Sequence, residues 1–407
     1  MIQRLEIENF YSIRETQVID LRIGAKVPDE EGRFAKINDG SDERVPKTVA
    51  LFGANASGKS NVLKVLALLR WLLVDSAKEA PDGMLPFMSF ADAAGAATTT
   101  RIKVYFDWFP DLSNTNLREM EAQPYVQYSY EVRLLNAAGQ GGKVLSEELR
   151  SHPMLGKSKR IFERGEDGKV LTAPKYSMKR YSQILAKLRK NASLTSTLAQ
   201  FSGDFPVLLF WDWAKRIPSN IFLDKVDLPE ASIVQYYAEH PDILGRLNEV
   251  IDRIDLGLSS MSLVQFPAGI GAMFAHKGLD RPLLFQFESE GTKSFIKIFP
   301  YLKEALIVGG IAVVDEFDSA IHPSLLPEIL RWFHDPKENP RNAQLWFSGH
   351  SASLLEELKK EEIFFTEKDQ RGRTRIYGLG DIESVRRSDN FYQKYLGGVY
   401  GAVPRIG

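Results

Sequence analysis

Eight consecutive residues, Gly53 to Ser60, carry the most specific chemical pattern in this sequence, because they match G-x-x-x-x-G-K-[ST] at every fixed position. Glycines at the first and sixth positions allow backbone angles at which successive N–H groups point towards phosphate oxygens. The amine of Lys59 can bind the β and γ phosphates, and the hydroxyl of Ser60 can bind Mg²⁺. The pattern therefore predicts a site for ATP and Mg²⁺, with nucleotide contacts from Gly53, Asn55, Ala56, Ser57, Gly58, Lys59, Ser60 and Asn61.

Two adjacent carboxylates are the second candidate group. Asp315 and Glu316 follow the apolar run 311–314, which predicts a buried strand. Ligands of parallel sheets bind at the carboxyl ends of the strands, so we expect Asp315 to hold Mg²⁺ opposite Ser60. Glu316 should point elsewhere and act as the general base for the attacking water. Many strands end in acids that only face solvent, and it is the P-loop that favours the catalytic interpretation here.

A histidine follows the next predicted strand. His350 comes two residues after the apolar run 344–348. At the end of a strand beside Asp315 and Glu316, its imidazole is predicted to donate a hydrogen bond to the γ phosphate. The alternative is a loop histidine whose hydrogen bonds are only structural.

A further anion site is predicted at Ser289, Gly291 and Thr292, which precede a helix beginning near Ser294. One chain has one γ phosphate and cannot easily use two anion sites on it. Two chains placed head to tail can, each covering the P-loop of the other. The sequence therefore predicts a homodimer formed through the ATP sites, and a higher homo-oligomer stays open. The alternative is an ordinary helix N-terminus.

The elements that must position these residues can be predicted from hydrophobic periodicity. Strand, glycine turn and helix in succession, as in 48–77, are typical of a nucleotide-binding βα unit. The fold class is predicted as α/β, a P-loop head with a mixed sheet and flanking helices, carrying a mostly helical insertion. We divide it into an N-terminal part of the head, strands with the helical insertion, and a C-terminal part of the head, at 1–110, 111–280 and 281–407. Strands are predicted at 2–10, 48–52, 101–108, 126–134, 311–314 and 344–348, and helices at 61–77, 177–200, 230–237, 241–255 and 322–333.

Composition excludes several classes of site. The chain of 407 residues contains no cysteine, which rules out a disulfide framework, a zinc–thiolate site and a cysteine nucleophile. With 52 basic and 53 acidic residues, global charge indicates neither a nucleic-acid nor a membrane partner. No segment has the pattern of a signal peptide, and the longest apolar run, near 305–314, is too short to cross a bilayer. We expect a cytoplasmic protein with no membrane partner.

The order of the motifs resembles a known family. GANASGKS, then ESEGTKS, IAVVDEFDSAIHP and WFSGHS, after the opening LEIENFYSI, is similar to the ABC-class ATPase heads of the SMC, RecF and OLD proteins. The resemblance implies ATP hydrolysis and a D-loop containing Asp318 and Ser319 at the dimer interface. The closing portion, FFTEKD to YLGGVYGAVP, more specifically resembles the RloA/AbiL-type and PARIS-type ATPases of bacterial anti-phage systems. No Q-loop glutamine is evident before the insertion.

This resemblance implies a sensor or switch subunit of an anti-phage system. OLD proteins carry a Toprim nuclease after the ATPase, and only 57 residues of this sequence follow His350. We therefore expect a separately encoded effector, such as a Toprim-type nuclease. The alternatives are a DNA-repair or DNA-loading ATPase like RecF or the SMC heads and, less favoured because the signature departs from LSGGQ, the energising subunit of a transporter.

The insertion contains a basic segment at 157–190, where 11 Lys and Arg side chains stand against three Asp and Glu. It could bind nucleic acid or an acidic phage protein, or it could be an ordinary solvated surface. The aromatic side chains nearby are expected to form core rather than a docking patch; they are Phe201, Phe205, Phe210, Trp211 and Trp213.

Overall fold

The computed structural model describes residues 1–29, 31–38, 41–108, 126–137, 141–153, 157–201, 208–253, 257–267, 269–319, 321 and 325–403. Its helices are α1 Lys59–Val74, α2 Ala93–Ala97, α3 Ser182–Leu185, α4 Leu194–Ala199, α5 Leu208–Lys215, α6 Glu230–Glu239, α7 Pro241–Arg253, α8 Glu290–Val308, α9 Leu326–His334 and α10 Phe391–Leu396. Its strands are β1 Ile2–Glu8, β2 Gln17–Asp20, β3 Phe34–Lys36, β4 Arg44–Pro46, β5 Thr48–Phe52, β6 Thr100–Trp108, β7 Val126–Ala137, β8 Gly141–His152, β9 Lys159–Arg164, β10 Val170–Thr172, β11 Leu258–Phe266, β12 Gly269–His276, β13 Leu283–Leu284, β14 Ile311–Val314, β15 Gln344–Ser348, β16 Ile363–Lys368 and β17 Thr374–Gly378.

A five-stranded sheet in the order β14-β15-β5-β16-β17 carries the predicted motifs. The first four strands are parallel and β17 is antiparallel to β16. All five residues of β5 are buried, as expected for a parallel strand that is covered on both faces. The carboxyl ends of β5, β14 and β15 lie side by side, so the segments after them share one edge of the sheet.

The two faces of this sheet pack into two different cores, because successive side chains of a strand point to opposite sides. Val49 and Leu51 of β5 join the apolar cluster that contains α1 and the inner face of a second sheet. Ala50 and Phe52 join the cluster that contains α8 and α9. The parallel sheet is therefore the middle layer, fixed from both sides.

The second sheet is antiparallel and seven-stranded, in the order β10-β9-β8-β7-β6-β1-β2. Strands β7 to β10, at 126–172, thus continue the sheet that the first strand of the chain begins. Strand β7 confirms the strand predicted at 126–134, whereas β8 to β10 were not predicted. The strands have one face buried, and their polar outer positions hide the strand pattern in the sequence.

The long helix predicted at 177–200 is also wrong, since α3 and α4 are separate and short. The guanidinium of Arg189 donates to the backbone carbonyls of Ala77 and Glu79, and Asn191 donates to Ala80. Ser193 then caps α4 by accepting from the N–H of Ser196. These contacts hold the chain in turns, so tertiary structure overrides local helix propensity.

The remaining predicted elements are confirmed, with shifted ends. Helices α6 and α7 lie at the predicted positions, whereas the β11–β12 hairpin was not predicted. Helix α8 continues through the buried Pro300. The helix predicted at 322–333 is α9, and 322–324 lie outside the described residues. In the described part of the chain, no helix is both long and apolar enough to cross a membrane.

Candidate nucleotide site

The loop 53–58 runs from the end of β5 to the first turn of α1. Gly53 has φ 150° and Gly58 has φ 112°, angles that residues with a Cβ rarely adopt. A Cβ on Gly53 would collide with the carbonyl oxygen of Thr366, and one on Gly58 would collide with the side chain of Thr374. Both glycines are therefore required by space as well as by conformation. Gly58, the N-cap residue, offers no side-chain cap, so the first N–H groups of α1 face the loop.

Lys59 lies inside this loop with its amine turned inwards. It is only 5% exposed, and its Nζ donates to the carbonyl oxygens of Gly53 at 2.8 Å and Ala54 at 3.2 Å. Burial lowers the pKa of Lys59, and the nearby carboxylates, Asp315 foremost, act in the opposite direction. In the described part of the chain, the hydrogen bonds of this amine go to neutral carbonyls, an arrangement that fits an anionic ligand such as a phosphate.

Asp315 is brought from the end of β14 to the start of α1. The hydroxyl of Ser60 donates to Oδ1 of Asp315 at 3.0 Å, and the hydroxyl of Ser348 donates to the same oxygen at 2.5 Å. The Asn220 side chain bonds the Asp315 backbone twice, accepting from its N–H at 2.7 Å and donating to its carbonyl at 3.1 Å. Among the described residues, no group of three His, Cys, Asp or Glu could hold a metal. A hydroxyl and a carboxylate suit Mg²⁺, which takes its other ligands from phosphate and water.

Glu316 points away from Asp315, as its place one residue further requires. It has φ 51°, and its N–H donates to the Ser348 hydroxyl at 2.8 Å. Its Oε2 lies 2.7 Å from Nζ of Lys225, in an ion pair whose side chains are 42% and 46% exposed. The hydrogen bond from Lys225 is the largest cause that lowers the pKa of Glu316, with smaller contributions from His350 and Lys59.

The residues predicted as D-loop and γ-phosphate sensor contact each other. Oδ2 of Asp318 accepts from the backbone N–H of His350 at 2.7 Å and from that of Ser351. Oδ1 of Asp318 is buried and has no hydrogen bond among the described residues. The imidazole of His350 is exposed, and Ser319 donates its N–H to the carbonyl of Glu316 at 2.9 Å. The rest of the predicted D-loop, apart from residue 321, lies outside the described residues.

The predicted signature segment begins α8. Ser289 is the N-cap residue, and its Oγ accepts from the N–H of Thr292 at 3.1 Å and lies 2.9 Å from the Thr292 hydroxyl. Glu288 before it is buried and bonds Nε2 of His276 at 2.8 Å. Gly291 lies in the first turn. These hydrogen bonds shape the helix end, and the predicted action on another chain's nucleotide stays a prediction.

Several residues of the site were missed in the sequence. Ser348 is the last residue of a predicted strand, and that position was the available signal. Asn220 belongs to no motif. The hydroxyl of Ser57 contacts that of Thr366 at 2.6 Å, and the Thr374 hydroxyl donates to the Ser57 carbonyl at 2.8 Å. The β16–β17 hairpin therefore supports the P-loop from behind.

The basic segment 157–190 is partly internal. Arg164 is 3% exposed and donates to Glu147 and to the carbonyl of Ala192. Arg189 donates to the backbone carbonyls of Ala77 and Glu79. The exposed cations of the segment are Lys157, Lys159, Lys169, Lys175, Lys179, Arg180, Lys187 and Lys190.

The aromatic cluster is core where it is well buried. Phe210 and Trp213 stack on Phe106, with ring centroids 5.5 and 4.1 Å away, as predicted. The prediction is wrong for Phe201, which is 61% exposed, and Trp211 is partly buried against the core. Phe205 lies outside the described residues.

Comparison with known proteins gives one family match. The family model described as "AAA domain, putative AbiEii toxin, Type IV TA system" matches residues 49–356, which include the P-loop, Asp315, Glu316 and His350. No curated protein matches the chain.

Solved structures of SMC head domains show a distant likeness. An SMC head bound to the C-terminal winged-helix domain of ScpA is 14% identical, covering 93% of this chain and 97% of that one, with a TM-score of 0.48. The SMC head domain of Thermotoga maritima is 13% identical, covering 93% and 98%, with a TM-score of 0.39. An SMC head from Pyrococcus furiosus bound to the C-terminal domain of ScpA is 15% identical, covering 93% and 96%, with a TM-score of 0.42. None of these likenesses bears on what this chain binds.

Proposed function

The chain belongs to this AAA-domain family, and on that premise we propose that it binds ATP with Mg²⁺ and hydrolyses it. The observation that carries the proposal is the meeting of Ser60 and Asp315, 255 positions apart, at a 3.0 Å hydrogen bond beside the buried amine of Lys59. A structural role for these groups would leave the buried amine of Lys59 hydrogen-bonded to neutral carbonyls, and a triphosphate supplies an anionic partner in direct contact.

The chain's own groups divide the work of hydrolysis between binding and proton transfer. The N–H groups of 53–60 and Lys59 hold the phosphates, and Ser60 with Asp315 would hold Mg²⁺. Bound Mg²⁺ would offset the negative charge of the phosphate oxygens. Glu316 takes a proton from the attacking water, whose oxygen bonds to the γ phosphorus while the bond to the ADP oxygen breaks. His350, exposed at the same edge, would donate to the γ phosphate.

Glu316→Gln tests the catalytic assignment, because it keeps the shape of the side chain and removes the base. ATP binding, followed with a fluorescent nucleotide, should persist while phosphate release falls by about 10²-fold or more. The matched control is Glu383→Gln, a change of the same type at an exposed residue remote from these motifs. Hydrolysis by Glu316→Gln at the wild-type rate would exclude Glu316 as the base.

The ATP sites are proposed to be completed by a second copy of the chain, with Ser289, Gly291 and Thr292 covering the partner's nucleotide and Asp318 and Ser319 at the interface. Support comes from the capped N-terminus of α8, which presents Ser289 at the surface. Mixing two inactive variants tests this arrangement. Lys59→Ala removes the P-loop cation of one chain, and Ser289→Arg blocks the signature of the other.

The mixed dimer would contain one complete site, made from the intact P-loop of the Ser289→Arg chain and the intact signature of the Lys59→Ala chain. Each variant alone should be inactive, and the mixture should recover a measurable fraction of the wild-type rate. Failure to recover any rate, with both variants folded by circular dichroism, would count against the shared site.

The biological role is proposed to be that of a sensor or switch in an anti-phage system, with a separately encoded effector such as a Toprim-type nuclease. Support comes from the family description, which names a toxin–antitoxin system, and from the resemblance of the closing portion to RloA/AbiL-type and PARIS-type ATPases. Expression with its neighbouring genes should reduce phage plating, and Glu316→Gln should abolish that protection. DNA-stimulated hydrolysis without a phage phenotype would instead favour a RecF-like or SMC-like role.

The basic segment 157–190 is the proposed contact surface for the trigger, a nucleic acid or an acidic phage protein. Lys179, Lys187 and Lys190 are exposed there, and replacing all three with Glu should weaken trigger binding without changing basal ATP turnover. Binding by the wild type should also fall steeply as salt increases. A trigger whose binding is unaffected by the triple replacement and by salt uses another surface.

A further inference from the structure

Residues 219–227, which we call the bridging segment, are bound directly to the strand that carries Asp315. Ser219 pairs with Val313 of β14 in a parallel bridge, and the N–H of Asn220 donates to the Val313 carbonyl at 3.1 Å. The two hydrogen bonds between the Asn220 side chain and the Asp315 backbone extend this attachment. One end of the segment is therefore fixed to β14.

A tight turn then brings Lys225 back to Glu316. Phe222 donates its N–H to the carbonyl of Asp224 at 3.0 Å, and Val226 donates to the carbonyl of Asn220 at 2.7 Å. Lys225 reaches Glu316 at 2.7 Å. Among the described residues, Lys225 is the side chain that bonds the Glu316 carboxylate.

The same segment also contacts the helices on either side of the site. Its Phe222 ring lies 6.3 Å from that of Trp71 on α1, the helix that begins in the P-loop. Asp227 pairs with Lys297 of α8 at 2.5 Å. A cavity of about 330 Å³ separates the segment and Glu316 from α8, with Ser294 and Tyr301 in its wall. The segment therefore contacts Glu316 through Lys225 and α8 through the Asp227–Lys297 ion pair.

We propose that the bridging segment couples α8 to hydrolysis: Lys225 positions the Glu316 carboxylate, and Asp227 transmits the position of α8 to Lys225. This inference rests on the proposed function, in which Glu316 is the base and α8 presents Ser289 to a partner's nucleotide. It gives the chain a connection between signature and base that uses no Q-loop glutamine. Lys225 is then a positioning residue.

Lys225→Ala tests the positioning. The carboxylate of Glu316 loses its partner, and a misplaced base lowers kcat by about 10- to 100-fold while the KM for ATP stays within about twofold. Lys225→Arg keeps a cation within reach and should restore most of the rate. The matched control is Lys394→Ala, which breaks a 2.7 Å ion pair with Asp389 at α10; the Lys394 side chain is 39% exposed, close to the 46% of Lys225. An unchanged or increased kcat in Lys225→Ala overturns the proposal.

A charge swap tests the connection to α8. Asp227→Lys places a second cation beside Lys297 and breaks the contact between the bridging segment and α8. The change does not touch Glu316, yet it should lower kcat about tenfold while ATP binding stays unchanged. The double variant Asp227→Lys/Lys297→Asp re-forms the ion pair in reverse and should recover the rate. A double variant as slow as the single one refutes the transmission.

Different results would contradict the proposed function and the proposed coupling. If the wild type binds no ATP or releases no phosphate, the proposed function is wrong and the variants carry no rate to compare. If the wild type turns over and the Lys225 and Asp227 variants match it, the coupling alone is wrong. Fluorescent-nucleotide binding and phosphate release, measured on every variant, separate the two results.

Discussion

Ser348 lies between Asp315, the proposed metal ligand, and Glu316, the proposed base, and its replacement by Ala should affect both. Its side chain is fully buried, and its hydroxyl donates to Oδ1 of Asp315 at 2.5 Å while accepting from the N–H of Glu316 at 2.8 Å. Both bonds depend on one oxygen atom. Ser348→Ala removes them together and leaves the strand itself unchanged.

The expected loss of stability in Ser348→Ala follows from these two hydrogen bonds. A hydrogen bond to a charged group contributes about 1.5–3 kcal/mol and one between neutral groups about 1 kcal/mol. The bond at the N–H of Glu316 is only partly buried, so water can replace it. We therefore expect the free energy of unfolding to fall by about 2 kcal/mol, measured by urea denaturation without nucleotide.

The same variant should raise the Mg²⁺ concentration at half-maximal ATP turnover, because Asp315 loses the donor that fixes its Oδ1. An increase of about 10-fold is the size expected when a group that orients a metal ligand is lost. The control is Ser232→Ala on the exposed face of α6, which should stay within about 0.5 kcal/mol of wild type. If Ser348→Ala matched this control in both stability and Mg²⁺ dependence, the bridging role of Ser348 would be refuted.

Three shorter predictions concern the P-loop and the core. Lys59→Ala should abolish ATP binding in a fluorescent-nucleotide titration, since it removes the buried cation; retained affinity would contradict its role. Gly58→Ala places a Cβ against the Thr374 side chain at a φ of 112° and should weaken ATP binding by more than about tenfold. Wild-type affinity would show that the β16–β17 hairpin can move to make room for the Cβ. Trp213→Ala removes a ring stacked 4.1 Å from Phe106 and should cost about 3–5 kcal/mol in thermal or urea unfolding; a loss below 1 kcal/mol would contradict its place in the core.

The parts of the site that lie in short local patterns were predictable, and the rest was not. The P-loop and the pair Asp315–Glu316 are contiguous, and the chemistry of phosphate and Mg²⁺ restricts which residues can stand there. Asn220 and Lys225 come from a segment with no pattern of its own. Their importance arises from where the fold places them, 95 and 91 positions before their partners in the sequence.

The strands of the fold likewise include some that the sequence predicts and some that it does not. The parallel strands were predicted because both their faces are buried and they form continuous apolar runs, as in β5 and β15. Strand β8 alternates buried and half-exposed residues, among them Lys143, Glu147 and Glu148, and resembles a polar loop in the sequence. The buried Glu147 carboxylate accepts hydrogen bonds from Arg164, Tyr130 and the backbone N–H of Leu194, contacts that no local pattern reveals.

Because one hydroxyl bonds both Asp315 and Glu316, the proposed metal-binding and base roles are linked at Ser348. Asp315 and Glu316 are neighbours in the chain, and both depend on one atom of the adjacent strand β15. A replacement that removes the Ser348 hydroxyl should therefore disturb the proposed metal ligand and the proposed base together. Glu316 is different, because beyond its backbone its carboxylate is held from outside the sheet by Lys225. On the proposed coupling, changes at Lys225 or Asp227 would alter hydrolysis while the P-loop, Ser60 and Asp315 keep their arrangement, so turnover would change without release of the nucleotide.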